Sequence, residues 1–264
     1  MDRKTEMKWT VSKIRALKGE RKLAVVTAYD ALSARYVDEA GIPLVLVGDS
    51  LANTILGYET TLPVTMDEMV HHTAAVSRGV KEGLIVGDMP FMSYQAALDQ
   101  AVENAGRFIK DGRADAVKIE GGTIRSELIQ RLVVNGIPVL GHIGLTPQSV
   151  KEIGFKVQGK TEETARKLMD DAMAVEQAGA FALVLECVPS ELAQKITAAL
   201  NIPTIGIGAG PHCDGQVLVF TDLLGMGLGH VPGFVKPYAD LRPQIQKALA
   251  AYKTEVESSV FPEK

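Results

Sequence analysis

The sequence predicts an α/β protein of the TIM (β/α)8 barrel type with an N-terminal capping helix, and three observations carry that expectation. Apolar runs closed by a carboxylate recur along the chain, as in Val45-Leu46-Val47-Gly48-Asp49, Leu84-Ile85-Val86-Gly87-Asp88, Val117-Lys118-Ile119-Glu120 and Leu183-Val184-Leu185-Glu186. Such runs are how a buried parallel strand reads when it ends at a working surface. Helical patterns separate nearly all the strand candidates, of which there are eight, and sustained alternation of this kind implies a parallel sheet. No G-x-G-x-x-G follows the first strand, which favours a closed barrel over a doubly wound sheet. At 264 residues, 46% hydrophobic and 23% charged, the chain suits one domain spanning 1–264, since barrels of about 250 residues commonly form a single domain.

Each element has its own warrant. From Thr10 to Gly19, Val11, Ile14 and Leu17 share a face, Thr10 suits a cap and Gly19 a stop, so this helix is expected to close the bottom of the fold. Leu23 to Ala28 is the first strand, Ala31 to Ala40 its helix, and Gly41 the terminator. Strand two is Leu44 to Val47. The segment from Asp49 to Pro63 after it is longer than a connector needs and is a candidate lid. A helix runs from after Thr65 to Gly79, with Asp67 and Glu68 in its first turn. Its adjacent His71 and His72 point about 100 degrees apart, which favours a structural role over a shared metal. Leu84 to Val86, Ala116 to Ile119 and Pro138 to Leu140 are strands three to five, with helices from Gln95 to Asp111 and Ser126 to Asn135 between them. A glycine-rich loop reaches Gly159, a helix runs from Thr161 to Gly179, and strand six is Ala182 to Leu185. A helix from Ser190 to Leu200 leads to strand seven, Thr204 to Ile207, and Gly208-Ala209-Gly210. That glycine pair reads either as an anion-binding nest or as a tight turn. Strand eight is expected at Gln216 to Phe220, ending near Asp222, with no convincing helix before it; a helix from Leu241 to Glu257 finishes the chain.

Composition narrows the function classes. A net charge of -4 with scattered Lys and Arg offers nucleic acid or an anionic membrane no basic block, so a small-molecule substrate is expected. Cys187 and Cys213 have no C-x-x-C spacing, which argues against a zinc site or disulfide framework and fits a reducing compartment. No run approaches the ~18 apolar residues of a membrane span and no apolar leader opens the chain, so the expected location is cytoplasmic.

In a (β/α)8 barrel the strand C-termini converge on one face, so Asp49, Asp88, Glu120 and Glu186 are expected around a common pocket. Carboxylates gathered there repel one another unless something positive joins them, and the candidates are Lys118 and a divalent cation. Lys118 and Glu120 are i and i+2 on a strand and face the same side. Oxygen ligands without a Cys/His cluster point to Mg2+ rather than Zn2+. The bland alternative for any one of these acids is a helix cap or a rim salt bridge. His142 reads equally as a substrate hydrogen-bond partner or a satisfied structural residue; Cys187 reads as filling.

Taken together, Thr27-Ala28-Tyr29-Asp30, Leu46-Val47-Gly48-Asp49-Ser50, Thr61-Leu62-Pro63-Val64-Thr65, Asp88-Met89-Pro90-Phe91, Lys118-Ile119-Glu120-Gly121-Gly122, the stretch from Gly141 to Ser149, Leu185-Glu186-Cys187-Val188-Pro189 and Gly206-Ile207-Gly208-Ala209-Gly210 resemble the ketopantoate hydroxymethyltransferase family over nearly the whole chain. The resemblance implies a Mg2+-dependent barrel that moves a one-carbon unit from 5,10-methylenetetrahydrofolate to 2-oxoisovalerate in pantothenate synthesis. It implies Asp49, Asp88 and Glu120 as metal-associated acids, Asp49, Ser50, Asp88 and Lys118 as substrate contacts, and Glu186 as the catalytic base. It also implies a homo-oligomer, often a decamer. One departure stands out: where the family usually carries a Gly-Gly pair before an aromatic residue, a single Gly154 precedes Phe155. For Glu186 to act as base its carboxyl must be lifted toward neutrality by desolvation or neighbouring acids. Two rivals stand beside this reading: a Mg2+-dependent oxo-acid lyase or aldolase on the same barrel without folate, and a non-catalytic metabolite-binding barrel.

Overall fold

A computed structural model describes residues 8–229 and 231–262. Its eight strands form one closed, all-parallel barrel in sequence order, β1 pairing with both β2 and β8, which is the TIM barrel expected.

The chain enters through α1 (Val11–Arg15), capped by the Thr10 hydroxyl, which accepts from the Lys13 N–H. Next come β1 (Leu23–Thr27) and α2 (Ala31–Glu39), the latter opened by an Asp30/Ser33 capping box. After β2 (Leu44–Val47) the long connection begins with α3 (Leu51–Thr54), whose Leu51 and Ala52 are wholly buried. The start of the candidate lid is therefore anchored. Thr65 and Glu68 form a capping box on α4 (Met66–Gly79). Then follow β3 (Leu84–Asp88), α5 (Leu98–Lys110), β4 (Ala116–Glu120), α6 (Ser126–Val134) and β5 (Val139–Gly144). A 3-10 turn over Pro147–Ser149 leads through α7 (Val150–Ile153) to α8 (Glu162–Gln177), capped by Thr161. The barrel finishes with β6 (Ala182–Glu186), α9 (Ser190–Ala199), β7 (Thr204–Ile207) and β8 (Gly215–Leu218).

Strands β3, β4 and β6 run on to include their terminal acids, α1 ends at Arg15, and three further boundaries differ from expectation for physical reasons. Strand β5 continues past Leu140 to Gly144, because Gly141 and His142 keep pairing with β6 although they break the apolar run. Strand β8 stops at Leu218, and Phe220–Leu223 forms a short helix, α10; a brief apolar run does not distinguish strand from helix. Helix α5 starts at Leu98 rather than at Gln95, whose side chain is spent on Gln148. The β7–β8 link carries no helix. Gly208 and Gly210 take positive φ there, and Gln216 Nε2 donates to the Gly210 carbonyl at 2.9 Å, which makes the segment a tight turn.

Two compact units divide the chain, up to Leu218 and from Val219 onward. The second contains α10 and α11 (Arg242–Glu257). Among the described residues no helix is long and apolar enough to cross a membrane.

Inside the barrel, alternate residues of each strand point inward. Leu23 and Val25, Leu44 and Leu46, Leu84 and Val86, Ala182 and Val184 pack with Ala116, Leu140, Ile205 and Val217 in one apolar cluster. Ile14 of α1 is completely buried in it, with Trp9, Val11 and Leu17 packed against it. The expected bottom plug is thus in place. Past that cluster the inward positions on β3 to β6 turn polar: Asp88, Lys118 and then Glu120, His142, and Glu186.

Candidate functional site

Strand register assembles the site. Asp88 pairs with Lys118, Glu120 with His142, and Gly144 with Glu186, so neighbouring strands present these side chains side by side on one face. Lys118 Nζ stands 2.7 Å from Asp88 Oδ1 and 3.3 Å from Glu120 Oε1. His142 Nδ1 is 3.6 Å from Glu120 Oε1, and its Nε2 is 3.2 Å from Glu186 Oε2. Asp49 lies just beyond the end of β2, where its backbone N–H donates to Asp88 Oδ2 at 3.0 Å. The four expected acids, Lys118 and His142 therefore belong to one connected group, and Asp49, Asp88, Lys118, Glu120 and His142 are all buried. Glu186 is the most open of the charged groups on β3 to β6, its side chain 17% exposed.

Local backbone places Glu186. Gly144, at φ +97, lies against its carbonyl, and a Cβ there would stand 2.3 Å from that oxygen, so only glycine permits the approach. Cys187 follows in the left-handed region at φ 48, with its N–H donating to Ile207 O at 2.8 Å. Burial and the adjacent Glu186 push its thiol up to about 11, which fits a filling role and no nucleophile.

Burial governs the electrostatics. It pushes the Asp88 carboxyl up to about 7 against the pull of Lys118, with Asp49 adding to the rise. Burial also carries Glu120 well above the carboxylate range, again opposed by Lys118. Desolvation alone would lower Lys118, but Asp88, Glu120 and Asp49 outweigh it and hold the ammonium charged. His142 is lowered by burial and by Lys118, which keeps its imidazole neutral near pH 7.

Ser50 follows Asp49 at the start of the long connection. The buried Tyr29 hydroxyl and Ser50 Oγ lie 2.8 Å apart, which fixes the serine's orientation. His72 Nδ1 bonds the Tyr29 carbonyl at 2.6 Å while His71 is exposed, so the histidine pair is structural.

Sequence reasoning missed Gln148. It is buried in the 3-10 turn after β5; its Nε2 donates to Asp49 Oδ2 at 3.1 Å and to Met89 O at 2.9 Å. Its Oε1 accepts from the buried Tyr94 hydroxyl at 2.7 Å and from Gln95 Nε2 at 3.0 Å. The only available signal was Thr146-Pro147, a turn opener at a strand end, next to a residue long enough to reach back.

The donor set fits a divalent cation. Asp49, Asp88 and Glu120 face a single ammonium, so charge balance calls for protons or another cation. Asp88 Oδ1 is buried and has no hydrogen bond of its own beyond the ion pair with Lys118. Among the described residues no group of three or more His, Cys, Asp or Glu side chains is arranged to hold a metal ion by itself. Mg2+ does not require one, because it takes one or two carboxylates and completes its shell with water and substrate oxygens.

Comparison with known proteins identifies the family. The family model described as ketopantoate hydroxymethyltransferase matches residues 8–264. A 3-methyl-2-oxobutanoate hydroxymethyltransferase from Carboxydothermus hydrogenoformans is 57% identical over 96% of this chain and 93% of its own. One of the same name from Syntrophomonas wolfei subsp. wolfei is 56% identical over 93% of this chain and 89% of its own. Among solved structures, a phosphoenolpyruvate phosphomutase from Streptomyces platensis subsp. rosaceus superposes with a TM-score of 0.63 at 15% identity, covering 95% of this chain and 88% of that one. That likeness speaks for the fold alone.

Proposed function

The chain belongs to the ketopantoate hydroxymethyltransferase family, and on that premise we propose that it transfers a hydroxymethyl group to 3-methyl-2-oxobutanoate (2-oxoisovalerate), yielding ketopantoate for pantothenate synthesis. The one-carbon donor in this reading is 5,10-methylenetetrahydrofolate, and Asp49, Asp88 and Glu120 hold Mg2+. The observation that carries it is the row Asp88–Lys118, Glu120–His142 and Glu186 on adjacent strands, since a 2-oxo acid needs a cation for its carboxylate and a base beside its C3 proton.

Each residue has a task. Lys118 uses two of its directions on Asp88 and Glu120 and turns the third toward the substrate carboxylate. Ser50, oriented by Tyr29, donates to the same end of the substrate. Glu186, the most open acid on these strands, takes the C3 proton, with Nε2 of the neutral His142 3.2 Å from its carboxylate. A cation held by Asp49, Asp88 and Glu120 would supply positive charge where negative charge develops on the keto oxygen. Carbon C3 then bonds to the methylene carbon as one of its two C–N bonds breaks, and water adds its hydroxyl to the same carbon as the second breaks, the two folate nitrogens taking up the C3 proton and a proton from that water. Apolar strand residues beneath the row, such as Val86 and Val184, keep bulk water away from that carbon.

Assembly as a homo-oligomer, in the decameric form typical of the family, is part of the same reading. It is supported by the stripe Ile245, Leu249, Tyr252 and Val256, spaced at helical intervals on α11 and exposed.

In deuterated water with Mg2+, the parent protein should exchange the C3 proton of 2-oxoisovalerate, and Glu186→Gln should slow exchange by about 100-fold or more. Exchange at the parent rate in the variant removes Glu186 as the base. Product formation with an aldehyde, and none with the folate donor, would replace the transferase by a lyase of the same barrel type.

A further inference from the structure

Gln148 is a neutral side chain at the centre of a charged site, and all of its hydrogen-bonding capacity is committed. Both amide protons are donated, to Asp49 Oδ2 and to the Met89 carbonyl. Both lone pairs of Oε1 are taken, by Tyr94 O–H and by Gln95 Nε2. The amide cannot turn over, because Asp49 and the Met89 carbonyl are acceptors and would then face an oxygen. Tyr94 strengthens the assignment. Its hydroxyl accepts from the Glu120 backbone N–H at 3.2 Å, which leaves its own proton for Gln148, and the Arg125 guanidinium stacks 5.4 Å above its ring.

The backbone of Gln148 adds a further tie, its N–H donating to Glu120 Oε2 at 3.1 Å. One residue after β5 therefore grips an oxygen of Asp49 beyond β2, an oxygen of Glu120 on β4, and the carbonyl next to Asp88 at the end of β3. These are the three acids to which the proposed function gives the cation. Carboxylates that are buried together repel and would rotate apart; the amide on Asp49 Oδ2 and the backbone N–H on Glu120 Oε2 hold these two acids in place.

We infer that Gln148 is the positioning residue of the metal site: with Tyr94 behind it, it sets the orientation of Asp49 and Glu120 before any cation or substrate arrives. The inference rests on the metal-holding role of those acids. Its function is geometric, since a neutral amide brings order without adding a charge to the site.

The test is Mg2+ binding to the substrate-free full chain, measured by titration calorimetry, for the parent, Gln148→Met and Tyr94→Phe, with folding checked by thermal unfolding in the absence of metal. Methionine keeps the length and loses every side-chain hydrogen bond, so Gln148→Met should bind Mg2+ at least about tenfold more weakly. Tyr94→Phe removes one support of the amide and the acceptor of the Glu120 backbone N–H but touches no carboxylate oxygen, so a smaller loss, about two- to fivefold, is expected. A merely structural glutamine would lower the unfolding temperature and leave the affinity of the folded molecules unchanged. Affinity equal to the parent in Gln148→Met overturns the inference while leaving the metal site standing. If that variant does not fold, parental affinity in Tyr94→Phe overturns it equally. A parent that binds no Mg2+ overturns both this inference and the metal site.

Discussion

The two ends of the barrel are built from the same eight strands and carry opposite chemistry. At the N-terminal end the inward positions are Leu23, Leu44, Leu84, Ala116 and Ala182, closed by Ile14 of α1. At the C-terminal end the positions two steps further than Val86, Leu140 and Val184 are Asp88, His142 and Glu186, with Lys118 followed by Glu120 on β4. The bottom gains stability by removing apolar surface from water, whereas the top spends some of it holding buried charge. One end sets whether the fold exists and the other what it does, and substitutions should separate along that line.

The largest separation is expected at Lys118. Lys118→Met leaves Asp88 and Glu120 buried without the ammonium they share, a change that costs about 3–5 kcal/mol where a buried pair is broken. Both acids are already displaced upward by burial, so they will protonate more readily than ordinary carboxylates, and the loss should shrink toward acid pH. Chemical denaturation at pH 8 and pH 5 reads this directly. C3 exchange should disappear in the same variant, and a stable variant with parental exchange would break the division between the ends.

Ile14→Ala attacks the opposite end. The side chain is fully buried among strand residues, so its removal should cost about 2–5 kcal/mol while C3 exchange per folded molecule stays at the parental rate. If that rate falls instead, the plug is coupled to the site and the two ends are not independent.

A third measurement separates them by pH. In the folded protein Asp88 titrates at about 7, against an ordinary aspartate value of 3.8. The native state therefore holds this proton after the unfolded chain has released it. The stabilisation is fully present below the unfolded value and is lost as pH rises through about 7. Without metal, the parent should lose stability across that window and Asp88→Asn should lose less. Ile14→Ala should lower the whole curve without altering its slope. Parallel parent and Asp88→Asn curves would mean that burial of this acid is not what the fold contends with.

How much of this was legible in sequence follows the same division. Strands β2 and β7 lie where the apolar runs predict them, because a strand buried on both faces leaves an unbroken signature. The acids were visible as the terminators of such runs, and Lys118 with Glu120 as an i, i+2 pair. The far part of β5 was hidden because Gly141 and His142 serve the site and the helix layer rather than the apolar core. Gln148 was hidden for a different reason: its bond to Asp49 spans 99 positions and that from Tyr94 spans 54. A neutral side chain in a turn has no periodicity, so only the closed barrel reveals what it holds.

The smallest effect compares two threonine caps, one at each end. Thr10 was expected as a cap from sequence and Thr65 only as the residue before its helix, and the two are not equivalent. Thr65 is followed three residues later by Glu68, which accepts from the Thr65 N–H at 2.7 Å while the Glu68 N–H donates to Thr65 Oγ1 at 3.2 Å. Thr10 is followed three residues later by Lys13, so the reciprocal bond cannot form; the Lys13 N–H donates to Thr10 Oγ1 at 3.3 Å, with the Ser12 hydroxyl 3.0 Å away. A lysine in the first turn also opposes the positive helix end, whereas Asp67 and Glu68 complement it. Thr65→Ala should therefore lower stability by about 1 kcal/mol and Thr10→Ala by about 0.5 kcal/mol, both measured by denaturant midpoint at constant slope. The site-side helix needs the stronger cap because α4 follows the connection that carries Ser50, and a frayed first turn would loosen that connection. Accordingly Thr65→Ala should raise the KM for the oxo acid slightly and Thr10→Ala should not. Equal KM values in the two variants would mean that the connection is held by Leu51 and Ala52 alone.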